Sequence, residues 1–295
     1  MISSLRSASR ISLLLLLGMF LPAAAQTGGM QNGPFDGMSS EIVVPAAVRV
    51  DGKNGAFFQT DLWIRCRTVP VAATLYFYPA DAASASPAVT VPMTLTQPVV
   101  YLPDVLSTTF GVPKSAGNIR IVAGAPVSAV VRVYNNGGGG AFGLSFMGMP
   151  STMSLQSMPM MGGSFGMDDF AMYMLGLLPE PGNRVNVSVV NTFSGTVTGF
   201  VEVLDSDGSA PLGTGVTSLP FQIAGYSSHQ FNGVLANIRS RFGSGDTGLQ
   251  VRVRLNQGSA GMVMAYAVVN DNTTNDGYVV MGSMMNGGRG MGMMP

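Results

Sequence analysis

Two stretches of this chain carry the same succession of short apolar runs and turns. The segment Gln59-Thr60-Asp61-Leu62-Trp63-Ile64 returns as Arg184-Val185-Asn186-Val187-Ser188-Val189, and residues 71–78 return as 197–204. Asp104-Val105-Leu106 with Phe110-Gly111 returns as Gly233-Val234-Leu235 with Phe242-Gly243. Arg120-Ile121 returns as Arg252-Val253, and Val133-Tyr134-Asn135 as Val268-Val269-Asn270. The offset grows from 125 to 135 residues along the chain. The extra residues fall between the runs, where loops absorb insertions. A chain of this kind is expected to fold as two similar modules.

Each module is expected to be all β. Leu62, Ile64 and Cys66 alternate with Trp63 and Arg65, and Leu75 and Phe77 alternate with Tyr76 and Tyr78. That period of two is the pattern of a strand with one covered face. Similar runs at 43–50, 89–95, 99–102, 119–121, 127–134 and 142–147 give about eight strands, separated by Gly, Pro, Asn and Asp turns. Residues 187–190, 200–204, 219–223, 249–253, 262–269 and 278–281 repeat the series. Only 104–110 and 233–241 read as helical turns, with Asp104 placed to cap the first. Strands at this spacing, without βα alternation, predict two tandem Greek-key (immunoglobulin-like) β-sandwich domains. Their expected bounds are 41–148 and 171–282. A Met/Ser/Gly-rich linker at 149–170 joins them, a flexible tail at 26–40 precedes them, and a disordered Gly/Met-rich tail at 283–295 follows.

Residues 1–25 read as a secretory signal: Arg6 and Arg10, an apolar stretch from Ile11, then Ala23-Ala24-Ala25. The stretch is too short to cross a bilayer, and Gln26 follows the expected cut where a lipid anchor needs Cys. The product is therefore expected to be secreted, periplasmic or at the cell surface, with no membrane span. Only 10% of residues are charged, in equal numbers of each sign. No basic stripe exists for phosphate contacts, so nucleic acid is not an expected partner. Cys66 is the one cysteine, so no intramolecular disulfide forms and stability must come from packing.

Asp61-Leu62, Asp104-Val105-Leu106 and Arg132-Val133-Tyr134-Asn135, with Asn186-Val187, Val234-Leu235 and Asn270-Asp271-Asn272, give the chain a resemblance. It resembles a group of secreted bacterial proteins with two tandem immunoglobulin- or fibronectin-like sandwiches. The resemblance covers both modules and implies that fold and an exported location, without an activity. Ala267 aligns with Arg132, so that arginine is not common to the two modules.

Nucleophilic hydrolysis needs a nucleophile, a base and an orienting group. His229 is the one histidine, and Cys66 shares the inward face of Leu62 and Ile64, as a small buried hydrophobe would. No catalytic residue and no cofactor are assigned. Asp205-Ser206-Asp207-Gly208 starts like a calcium loop but has no closing glutamate, and reads better as a hairpin turn. Asn186-Val187-Ser188 fits the glycosylation acceptor pattern, although it falls on an expected strand.

Methionine is the unusual residue, with 22 copies mostly outside the expected strands. Thioethers are soft ligands that select Cu(I) where thiolates are absent. Met158, Met160, Met161, Met291, Met293 and Met294 form the candidate metal set. Adaptable apolar contact is the plainer reading of the same residues, and Met172 and Met174, on a strand, are expected in the core. The function expected from all of this is a non-enzymatic structural, adhesion or interaction module at the cell surface. The alternative is a Cu(I)-binding protein. The expected partner is a protein or glycan, with self-association through edge strands. Trp63, Tyr76 and Tyr78, opposite the inward set, are the expected contact surface.

Overall fold

A computed structural model describes residues 37–52, 55–137, 143–156, 171–177, 183–204, 218–234, 250–256, 261–271 and 277–284. The first half runs β1 (Ser39–Asp51), β2 (Phe57–Cys66), β3 (Val71–Pro79), β4 (Val89–Leu95), β5 (Val99–Leu102), the one-turn helix α1 (Val105–Thr108), β6 (Ser115–Asn135), β7 (Gly143–Met147) and β8 (Met149–Pro150). A 3-10 turn leads to β9 (Leu155–Gln156). The second half runs β10 (Ala171–Met174), β11 (Asn183–Asn191), β12 (Val197–Leu204), β13 (Ser218–Ile223), β14 (Ser228–Phe231), β15 (Gln250–Leu255), β16 (Met262–Asp271), β17 (Gly277–Met281) and β18 (Ser283–Met284). The protein is all β, and these strands pair antiparallel throughout.

In the first half the order is β4-β3-β6-β1-β2-β5, with β7 on β6 and β8 on β1. The expected runs 119–121 and 127–134 are one strand of 21 residues. Residues 117–123 of β6 pair with β3, and residues 127–135 pair with β2. Gly124-Ala125-Pro126 lies at the change of partner, where a residue without an N–H interrupts no ladder. Because β6 belongs to both pairings, the first half is hydrogen-bonded as a single sheet. In the second half that role is divided between β15 and β16. The strands there form two sheets, β13-β12-β15-β10-β18 and β14-β11-β16-β17, with β9 on β16. Partner for partner the two halves agree: β3–β4 with β12–β13, β2–β5 with β11–β14, and β6–β7 with β16–β17.

Alternation places the cores. Leu62, Ile64, Leu75, Phe77, Ile119, Ile121 and Val131 are buried together with Val105 and Leu106 of α1. Met172, Met174, Val187, Val189, Val201, Val253 and Val263 form a second cluster. Burying each such side chain contributes roughly 1.5–3 kcal/mol. Cys66 is buried with the first cluster, its Sγ donating to the Gln97 carbonyl at 3.3 Å.

The stretch 149–170 begins with ordered pairs: Met149 sits opposite Val43 on β1, and Leu155 opposite Val263 on β16. Ser283 and Met284, first in the expected tail, pair with β10. Among the described residues no helix is long and apolar enough to cross a membrane.

Candidate functional site

The outer face of β5-β2-β6-β7 carries a row that crosses four strands. In register, Tyr101 lies opposite Trp63, Trp63 opposite Val130, and Val130 opposite Met147. The Trp63 and Tyr101 rings stack with centroids 4.9 Å apart. Tyr101 is 49% exposed and Met147 66%, with Val99 and Val130 also open to solvent. Single exposed apolar residues are ordinary, but a contiguous group marks a contact surface.

A polar network holds this row from one side. The buried Asp61 accepts hydrogen bonds from the Tyr101 hydroxyl at 3.1 Å, the Tyr134 hydroxyl at 3.4 Å and the Asp104 backbone N–H at 2.9 Å. The Asp104 carboxylate in turn accepts from Arg49 Nε at 3.0 Å and Gln59 Nε2 at 2.9 Å. Asp104 does not cap α1 through its side chain, as its position suggested; its own backbone is left-handed and its carboxylate turns to Arg49. The Arg132 guanidinium lies over the Tyr134 ring at 5.1 Å. Loss of water, then Asp61, raises the pKa of both phenols above the usual tyrosine value, so both stay protonated donors. The result is a stacked aromatic pair held on one side by hydrogen bonds and rimmed by charge.

The corresponding face of the second half is covered at its middle, over Ser188 and Tyr266, and exposed at Gln230. By register its row is Gln230, Ser188, Tyr266 and Met281. Val190, Met264 and Tyr266 of that face belong to the first half's apolar cluster, and the Tyr266 ring meets Phe146 edge-on at 5.1 Å. Polar contacts close the margin of the joint. Asp81 N–H donates to the Ser228 carbonyl at 2.7 Å, Asn118 Nδ2 to the Tyr226 carbonyl at 2.9 Å, and Ser227 Oγ to the Pro79 carbonyl at 2.8 Å. A cleft of about 520 Å³ beside the joint is lined by Asp51, Phe58, Arg184, Asn186, Gln230 and Asn270.

Of the three aromatic residues expected to form one contact surface, Tyr76 and Tyr78 stay together, their ring centroids 6.5 Å apart, and Trp63 lies apart from them. Trp63 belongs to the open row. Tyr76 lies on β3 with the Arg120 guanidinium 5.5 Å over its ring. Tyr78 is not at the surface: it is 3% exposed and packs against Tyr226 of the second half at 5.2 Å. Alternation pointed Tyr78 outward correctly, but the second half covers it there. Tyr101 and Val130, which complete the row with Trp63, have no distinguishing mark in the sequence. Only the cross-strand register makes them neighbours.

His229 does not stand alone. Its Nδ1 lies 2.5 Å from Asp81 Oδ1, across the joint between the halves. That is the one hydrogen bond its ring makes among the described residues, and the neighbouring Ser227 hydroxyl is engaged by Pro79 and Ala82. Asn186 is buried, its Oδ1 accepting from Gly233 N–H at 3.1 Å. Met172 and Met174 are in the second core. Met158, Met160, Met161, Met291, Met293 and Met294 lie outside the described residues, as do Asp205 and Asp207.

No protein family profile matches the chain, and no curated protein sequence matches it. A crystal structure of Thermotoga maritima 1070 is similar over 37% of this chain and 90% of its own, at 14% identity and a TM-score of 0.29. A likeness of that size carries no inference about fold or function. What the geometry defines is a class: an all-β protein of antiparallel sheets with one aromatic face open and its counterpart covered at its middle.

Proposed function

We propose that this chain is an exported, non-enzymatic interaction protein of two tandem Greek-key, immunoglobulin-like sandwich domains, acting in the extracellular space or at the cell surface. The repeated order of strand pairing supports the duplicated module. The observation that carries the function is the Tyr101–Trp63–Val130–Met147 row, held in place by Asp61 and flanked by Arg65 and Arg132. Flat stacked aromatics with the exposed Arg65 and Arg132 beside them suit the face of a sugar ring or an apolar patch on another protein. The signal-like residues 1–25 and the scarcity of charge support a place outside the cytoplasm.

The test is binding of the chain from Gln26 onward to glycan and protein arrays, beside a Trp63→Ala/Tyr101→Ala variant. Retained signal for the parent chain with at least a tenfold loss for the variant is the expected result. A ligand bound equally well by both would move the contact surface elsewhere.

A further inference from the structure

The joint between the two halves is made by unlike surfaces: the outer face of β14-β11-β16-β17 in the second half, and in the first half the β7 margin, which meets the apolar part of that face, together with the β3–β6 end that carries Tyr78, Pro79 and Asn118. Phe146 and Leu144 on β7 and Met149 beyond it pack in the cluster that takes up Val190, Met264 and Tyr266. Each of these surfaces has a counterpart in the other half, and register identifies both. The face counterpart is the open row of Trp63, Tyr101, Val130 and Met147. Val130 stands where Tyr266 stands, since Val130 is opposite Trp63 as Tyr266 is opposite Ser188. The margin counterpart is β17 and β18. Tyr278 lies opposite Val269 as Leu144 lies opposite Val133, and Val280 opposite Ala267 as Phe146 lies opposite Val131. The turns after these strands match as well: Gly148 N–H donates to the Ala129 carbonyl and Gly282 N–H to the Ala265 carbonyl, both at 2.8 Å.

The second members of both pairs are open. Tyr278 is 43% exposed, with its hydroxyl donating to the Gly176 carbonyl at 3.4 Å, and Met284 is 52% exposed, while Val280 leans on the second core; the Tyr101–Met147 row is exposed on the first half. Among the described residues, a molecule that has joined face to margin once thus keeps one further face and one further margin unused. We infer that the partner of the open row is a second copy of this chain, whose β17–β18 margin docks on it as the β7 margin docks within the molecule. Such a contact is heterologous, so it propagates head to tail and does not stop at a closed dimer. The occupant is argued by continuity with the joint already present. The inference rests on the interaction-protein reading above and names the partner.

The test is sedimentation velocity on the chain from Gln26 onward, at concentrations up to about 100 µM, where contacts of modest size are populated. The expected result is a sedimentation coefficient that rises with concentration without levelling at a dimer. A face variant, Val130→Glu/Met147→Glu, and a margin variant, Tyr278→Glu, each sediment as monomers. Mixed in equal amounts they form a dimer and nothing larger, because one supplies the intact margin and the other the intact face. Met284→Glu serves as a second margin variant if Tyr278→Glu unfolds. A parent chain monomeric over the whole range overturns the inference, as does a dimer abolished by the face variant and untouched by either margin variant. Loss of self-association with array binding intact leaves the interaction reading standing and removes only this partner.

Discussion

At Asp104 (φ 39°) and Gly233 (φ 61°) the chain leaves an edge strand in the left-handed region, and each backbone N–H is taken by a side-chain oxygen on the neighbouring strand. Asp61 Oδ1 accepts from Asp104 N–H at 2.9 Å, and Asn186 Oδ1 from Gly233 N–H at 3.1 Å. A carboxylate and an amide do one job here, which is why the repeat tolerates either residue. Asp61→Asn is therefore expected to stay within about 1 kcal/mol of the parent in urea unfolding. Asp61→Ala removes the acceptor of the Asp104 N–H and of two tyrosine hydroxyls, of which Tyr101 can turn to water, and is expected to cost about 1–3 kcal/mol. Glu202 shows a different kind of local solution: buried, it accepts from both Arg252 and Arg254, at 2.8 and 2.9 Å. In the first half the matching Arg120 turns instead to Glu41 on β1, at 2.9 Å.

Among the elements, β6 sets the form of the first half because one strand serves two sets of partners. Its N-terminal part lies so close to β3 that a Cβ on Gly117 would stand 2.0 Å from the Tyr78 carbonyl oxygen. Backbone must move to admit it. Gly117→Ala is expected to lower stability by roughly 1–3 kcal/mol, read as a lower unfolding midpoint with an unchanged denaturant slope. Tyr78 next to this contact is also the residue that meets Tyr226, so the same change is felt at the joint. The letters of the two halves and their strand register differ by one residue in this strand. Aligned as letters, Tyr134 matches Val269 and Arg132 matches Ala267. Pairing to β2 and β11 instead sets Tyr134 against Asn270 and Arg132 against Val268. Side chains change face with every residue along a strand, so only the paired register tells which positions are equivalent.

For the molecule as a whole, the joint between halves is an apolar surface with a titratable group inside it. Tyr266 is 7% exposed, and burial pushes its pKa above the ordinary 10.0, with Ser188 offsetting part of the rise. Below pH 10 folded and unfolded chains hold this proton equally, so stability does not depend on it. Above pH 10 the unfolded chain loses the proton first and the folded chain keeps it, so stability falls as pH rises. Thermal unfolding followed from pH 8 to about 11 is expected to show a decline confined to the alkaline end. Tyr266→Phe, which has no proton to lose, is expected to decline less steeply. An equal decline in both would place the sensitive group elsewhere, Tyr78 being the next buried phenol, raised by its own loss of water.

Periodicity and turn chemistry were enough to specify an all-β chain, its buried sets such as Leu62, Ile64, Leu75 and Phe77, and the core place of Cys66, Met172 and Met174. Those properties are local, since a period of two tells which side of a strand is apolar wherever the strand lies. What covers a side is not local. Trp63 and Tyr78 carry the same outward signal, yet one is half-buried at a solvent face, stacked on the exposed Tyr101, and the other is sealed against Tyr226. Tyr266 and Val130 hold equivalent positions and meet opposite fates, one packed on Phe146 and one in solvent. Which face finds a partner depends on residues more than a hundred positions apart being brought together by strand register and by the packing of one half on the other. That is decided only when the whole chain has folded.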